Sequence, residues 1–449
     1  MAYERDGIAA LKRQMAAGGT RALRYVNALN VLSLRQLTPV MRALRPMQPL
    51  RPMQPLRIVN HGLPVEDLLE FGRRHPDVPV ILTDVIWGAA IKVLDCMRQC
   101  RNFYLDVSWF HTWAGIELAV RHFGARRVVF GTGYRAHNGA AIAALARANI
   151  SEADRRLIAH GNLDRLMGLK TTAMAAGDMD KIFWRRCLAG EPLGVDCIDA
   201  HAHLGPSAGY VLEMQDEDRQ IPAGKKTMDA LGIKLMIHSG LQALLGDPVA
   251  GNDLLARKLQ AHAGHYAAYV AFNPLYAGEL AGRFESYFRN PLFIEFKTLC
   301  SYWRVPITDK RFTPMWQYAN RHRLPVLSHS WSAEYDSPAK FEALAEKYPR
   351  VTFLIGHSGG GEQGRAEAEI VGKKHKNVYL EWCGSFCCRR SWNDTLAAVG
   401  PRKVVFGADA MAHDIHWELG RLLSLDVPDR VLQPILGANM RAILARRRR

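Results

Sequence analysis

Apolar positions along this chain repeat at two different spacings. From residue 57 onward, short runs rich in Val, Ile and Phe (RIVNH, VPVILTD, NFYLDVS, RVVFGTG) are each followed by a stretch with apolar residues every three or four positions (VEDLLEFGRR, AAIKVLDCMRQC, GIELAVRHFG, AAIAALARA). A short run bounded by turns packs as a buried strand, and a period near 3.6 makes a helix with one apolar face. The alternation therefore predicts consecutive βα units on a parallel sheet. A longer series starts near residue 196: CIDAHAH, IKLMIHS, AYVAFNP, FIEFKTL, PVLSHSW, VTFLIGH, VYLEWCG and VVFGADA, with helix-period segments between most of them. Eight such strands over about 250 residues match an α/β fold of the (β/α)8, or TIM barrel, type.

The first 56 residues read differently. Ile8, Leu11 and Met15, then Leu23, Val26 and Leu29, recur at helical steps, which predicts helices. They precede a hexapeptide that occurs twice, Leu44 to Pro49 and Leu50 to Pro55, whose prolines forbid regular helix and predict an extended spacer. A helical linker is expected over roughly Lys170 to Gly194. The organisation is then 1–56, helical with a Pro-rich spacer; 57–169; a linker at 170–195; and the complete barrel at 196–446.

The two series are also repeats of each other. RIVNH aligns with PVLSH, LTD with IGH, VVFGTG with VVFGAD, and HGN with GAN, with only small insertions between. Residues 57–169 thus correspond to the last four βα units of the barrel. They form a degenerate half-barrel whose front is lost or remade by residues 1–56. Four strands alone leave open sheet edges, which proteins ordinarily cover. Packing on the complete barrel or on a second copy is expected, with a homodimer as the anticipated outcome.

Composition narrows the class. With 48% hydrophobic and 23% charged residues in 449, the chain is globular rather than disordered. The net charge of +16 comes mostly from scattered arginines. The one basic cluster, Arg446 to Arg449, reads as a solvated tail, so no nucleic acid partner is expected. No window approaches the roughly 18 uninterrupted apolar residues of a membrane span, and the start lacks the order of a signal peptide. A cytoplasmic protein is expected. Eight cysteines without paired C-x-x-C spacing read as reduced thiols.

Candidate chemistry gathers at the carboxyl ends of the second series, where barrel enzymes place reactive groups. Strand 1 ends in Asp199-Ala-His201-Ala-His203, strand 5 at His329, strand 6 at His357 and strand 8 at Asp409. Residues two apart on a strand share a face, so both strand-1 imidazoles can meet one ion. Imidazoles plus a carboxylate with an open position suit Zn²⁺ or a similar divalent metal. Singly, an H-x-H is often a packed pair, and a strand-end His or Asp often caps a helix. Four strands delivering such groups to one rim favour the metal. Such an ion lowers the pKa of bound water from about 15.7 toward 7, and His357 can exchange protons near that pH. Asp199 is expected to orient the site rather than to bind metal. Gly359 to Gly361 lack phosphate-loop spacing and read as close loop packing.

Through IDAHAHLG, LSHS, LIGHSGG, VVFGADA and LGANMRAIL, residues 196–446 resemble the amidohydrolase superfamily. The similarity is to the amidohydrolase-related branch that includes aminocarboxymuconate semialdehyde decarboxylase and resorcylate decarboxylases. NFYLDVSWF, VVFGTGY and ISEADRRLIAHGNLDRLMGL extend the likeness to 57–169. The resemblance implies His201, His203, His329 and Asp409 as ligands of one divalent metal per chain, zinc for preference, with His357 as proton shuttle. Lys297, in FIEFK, is then either carboxylated and bridging two metals or the holder of a substrate carboxylate, a structural ion pair being the plain alternative. His238, Trp303, Trp331 and Trp382 are candidates to line a pocket, or simply packed. In the first series His61 stands at the position of His329, but Asp84 replaces His357, Gly133 replaces Asp409 and no H-x-H precedes them. No metal or catalysis is expected there.

The reading is a metal-dependent hydrolase acting on an amide, lactone or similar carbonyl of a small carboxylated substrate. Non-oxidative decarboxylation of an aromatic or unsaturated acid is the alternative. A non-catalytic scaffold paired with an active relative is the third.

Overall fold

The computed structural model describes residues 7–17, 22–26, 33–44, 56–59, 63–133, 138–172, 181–207, 213–331, 333–384 and 389–448. The chain divides into two compact units, Met1–Met179 and Asp180–Arg449.

In the first unit, five parallel strands lie in sequence order: β1 (Leu23–Val26), β2 (Leu56–Val59), β3 (Val80–Thr83), β4 (Phe103–Asp106) and β5 (Val128–Val129). Helices Val65–Arg74, Trp87–Gln99 and Gly115–Phe123 connect β2 to β5 in turn. The expected helix at Ile8, Leu11 and Met15 is present as Gly7–Ala16, but Leu23 to Val26 form a strand. Four residues cannot sustain a helix on their own, and LRYV instead pairs residue for residue with β2, from Leu23 beside Leu56 to Val26 beside Val59. The sheet therefore has one strand more than its sequence pattern suggested. The proline hexapeptides from residue 45 on, Leu29 and His61 lie outside the described residues.

The second unit is an eight-stranded parallel barrel: β6 (Cys197–Leu204), β7 (Ile233–Gly240), β8 (Tyr266–Ala271), β9 (Phe293–Thr298), β10 (Pro325–Ser328), β11 (Thr352–Ile355), β12 (Val378–Trp382) and β13 (Val404–Phe406), each paired with its neighbours in sequence. It closes where Ala202 bridges Ala410: His203 N–H donates to Ala410 O at 3.0 Å, and Ala410 N–H to His201 O at 3.2 Å. Ile198, Ala200, Ile237, Ala267, Tyr269, Leu327, Leu354, Tyr379 and Val405 fill the interior, with Met440 and Ile443 packed on the same cluster. Burying such side chains supplies most of the barrel's stability.

The two units repeat each other in detail. The Asn102 side chain donates to the carbonyls of Gly72, His75 and Val78, and Asn377 to those of Ala345, Tyr348 and Val351. Asn162 reaches Ala125 O and Val128 O at 2.8 and 2.7 Å, and Asn439 reaches Pro401 O and Val404 O at the same distances. Each of the latter follows one turn of π-helix, Leu157–Gly161 and Pro434–Ala438.

Arg446, Arg447 and Arg448 are anchored to the barrel. Arg446 donates to Tyr379 Oη at 3.2 Å and Arg448 N–H to His322 O at 2.8 Å. Arg447 supplies positive charge to Glu295, a fully buried carboxyl that burial pushes up to about 8. An interior acid without that cation would be costly. Among the described residues no helix is long and apolar enough to cross a membrane, and the described cysteines are free thiols.

Candidate metal centre

The site lies at the carboxyl ends of the barrel strands, beside the seam that closes the barrel. Within β6 the pairing register with β7 shifts between Asp199 and Ala202. A bulge of this kind re-aims side chains: Ile198 and Ala200 join the interior cluster, whereas His201 and His203 turn to Asp409. Asp199 secures the bulge, since one carboxylate oxygen accepts from His201 N–H at 3.0 Å and from Ala408 N–H at 2.9 Å. Burial pushes its carboxyl up to about 8.

His203 Nε2 lies 2.9 Å from Asp409 Oδ1, while Ser239 Oγ on β7 holds His203 Nδ1 at 2.9 Å. His201 Nε2 lies 3.9 Å from the same Asp409 oxygen. Burial alone would raise the Asp409 carboxyl, but His413, His201 and His203 hold it well below the carboxylate range. His413 is in turn anchored by Glu418 at 3.1 Å.

His357 and Asp409 both carry positive φ, 57° and 51°. Side-chain-bearing residues adopt that backbone at a cost and do so chiefly where a site demands it. Burial, with His329 and His201 nearby, holds the His357 imidazole well below its ordinary value, so it stays neutral. His329 stands beside it, ring centroids 4.8 Å apart, with Nδ1 2.8 Å from Asp336 Oδ2. Trp331 stacks on His329 at 6.0 Å. A side chain at Gly359 would drive into the Gly364 backbone and one at Gly360 into the Trp331 ring, so these two glycines serve close packing, whereas the space at Gly361 is open.

Two neighbouring groups come from the end of β12. Glu381 Oε2 accepts from His357 N–H at 2.9 Å and lies 3.2 Å from His201 Nδ1. Cys383 Sγ lies 3.2 Å from His201 Nδ1 and 3.4 Å from His357 Nδ1. Gly407, just after β13, leaves the space Glu381 occupies, since a Cβ there would overlap Oε1. Lys297, fully buried on β9, places Nζ 2.7 Å from His201 Nε2, and burial lowers its ammonium to about 8.

His201, His357, Cys383 and Asp409 each offer one donor atom, all within 4.8 Å of one another and all buried. Nitrogen, carboxylate and sulfur at this spacing fit a divalent transition metal. His203 joins through Asp409, and His329 faces the group from beside His357.

Other candidates sit elsewhere. Alternation on β7 puts Ile237 inside the barrel and His238 on the outer face, where Nδ1 meets His203 O at 3.1 Å and the ring meets Tyr266 edge-on. It supports the His203 backbone rather than lining the group, and burial lowers it to about 3. Trp382 likewise faces outward, 4.0 Å from Trp392 with Arg421 over its ring. Trp303 donates to Leu244 O at 2.8 Å and packs on an aliphatic cluster. Glu381, Cys383, Asp336 and His413 escaped sequence reasoning. For the first two the signal was present, because Tyr379, Glu381 and Cys383 alternate along one strand.

No curated protein matches the chain. Among solved structures it resembles 2,6-dihydroxybenzoate decarboxylase from Rhizobium (14% identity, 56% of this chain and 99% of that one, TM-score 0.46). It resembles 5-carboxyvanillate decarboxylase from Sphingomonas paucimobilis to a similar degree (13%, 56% and 99%, TM-score 0.43). A third is dihydroxybenzoic acid decarboxylase from Polaromonas with bound manganese and the inhibitor 2-nitroresorcinol (15%, 56% and 97%, TM-score 0.42). The amidohydrolase family model matches residues 198–446, more than half of the chain. The chain belongs to the amidohydrolase family.

Proposed function

We propose that the barrel is a divalent-metal enzyme that removes carbon dioxide, without an oxidant, from a small aromatic or unsaturated acid. The observation that carries this reading is Lys297: a fully buried cation 2.7 Å from His201 Nε2, at the edge of the metal donors. A carboxylate entering this buried rim gives up water, and an ammonium there compensates its charge. Loss of neutral carbon dioxide then relieves the desolvation.

His201, His357 and Asp409 would hold the ion, zinc for preference, with His203 joining through Asp409, and when bound it supplies a Lewis acid for a substrate oxygen. Lys297 binds the carboxylate. The carbon–carbon bond breaks, its electron pair stays on the ring or alkene carbon, and that carbon takes a proton. His329 is the group to deliver it, because Asp336 behind Nδ1 leaves Nε2 free to carry a proton gained from solvent. His357, kept neutral by its surroundings, serves better as a donor to the ion than as the shuttle.

The family match supports a second reading, hydrolysis of an amide or lactone on the same residues. Metal-replete protein incubated in ¹⁸O-labelled water with benzoic and muconic acids, lactones and amides separates the two. Carbon dioxide release with no label in the organic product is expected. Label in a ring-opened or deamidated product, with no carbon dioxide, would establish hydrolysis instead. A homodimer is part of the proposal, tested by a solution mass twice that of the chain.

A further inference from the structure

Cys383 follows the last residue of β12, fully buried, on the inward side with Tyr379 and Glu381. Its sulfur sits 3.2 Å from His201 Nδ1, 3.4 Å from His357 Nδ1 and 3.4 Å from Glu381 Oε2. Asp409 completes a set of four donors within 4.8 Å of one another. Sulfur binds zinc at about 2.3 Å and imidazole nitrogen at about 2.0–2.1 Å, so two such ligands of one tetrahedral ion stand roughly 3.5 Å apart. Cys383 already has that separation from both imidazoles.

We propose that Cys383 is a ligand of the divalent ion, bound as thiolate, its proton passing to solvent on binding. This rests on the metal reading given above. A thiolate selects borderline-soft ions, so the site favours zinc or cobalt(II) over manganese or magnesium.

The test uses full-length protein stripped by chelator and titrated with cobalt(II), whose visible bands report binding and whose near-ultraviolet sulfur-to-metal charge-transfer band reports a thiolate ligand. Wild type is expected to show both, saturating together. Cys383→Ser is expected to keep the visible bands and the circular dichroism of wild type while losing the charge-transfer band. Its preference for zinc over manganese is expected to fall by about tenfold or more. Visible bands without charge transfer in wild type, a charge-transfer band surviving in Cys383→Ser, or an unchanged zinc preference would overturn the ligand role and leave the metal reading standing. No cobalt binding by wild type would overturn both. If Cys383→Ser does not fold, Cys383→Ala takes its place with the same readouts, and the wild-type spectrum decides by itself.

Discussion

Asp336 Oδ2 lies 2.8 Å from His329 Nδ1, across the loop that follows β10, and the Ser301 hydroxyl donates to the same oxygen. The pair fixes which ring nitrogen of His329 carries its proton and which way Nε2 faces. Asp336→Asn is expected to lower kcat by about 10- to 100-fold with a smaller change in KM. Steady-state kinetics check this, and an unchanged kcat would remove His329 from proton transfer.

Asp84 and His357 hold the same backbone position in the two units, each just after an equivalent strand and with φ of 56° and 57°. The first unit thus keeps the strained corner and has lost its imidazole. Gly133, with φ of 77°, similarly stands where Asp409 stands. Restoring one imidazole does not rebuild a site that needs several donors. Asp84→His is expected to bind no more metal per chain than wild type, and an additional equivalent by elemental analysis would contradict that.

Gly407→Ala forces a methyl group onto Glu381, which holds His357 N–H. Overpacking of this kind costs about 1–3 kcal/mol. A fall in Tm of several degrees, together with weaker metal binding, is expected. Wild-type Tm would show that Glu381 is free to move.

Glu295 gives a signed pH effect. Its carboxyl, near 4.5 when unfolded, is pushed by burial up to about 8 in the barrel. Between those values the folded state binds more protons than the unfolded one, so the group's contribution is complete below about 4.5 and is lost as pH rises through 8. Each pH unit in that window changes stability by at most about 1.4 kcal/mol. Glu295→Gln is expected to flatten the decline in denaturant stability across this range. An equally steep decline in the variant would place its cause elsewhere.

The barrel and part of its candidate site were legible because both follow simple periods: strands alternate with helices, and His201 and His203 are two apart at a strand end. Parity along the same strands also separates His238 and Trp382, which face outward, from Ser239 and Glu381, which face in. Applied residue by residue, it would have exchanged those candidates. β1 was not legible, since LRYV becomes a strand through its pairing with β2, far away in sequence. Asp336 and His413 lie in loops, where no period exists and the partner is set by the tertiary fold. Arg446 and Arg448 are exposed, as a solvated cluster would be, but their anchoring was not legible because Tyr379 and the His322 carbonyl belong to distant segments.

The metal proposed for the barrel rim depends first on His201 and Asp409. Elemental analysis of full-length wild type, His201→Ala and Asp409→Asn, purified without chelator and matched by circular dichroism, tests it most directly. About one ion per chain is expected in wild type and almost none in either folded variant. Wild-type metal content in both variants would contradict it.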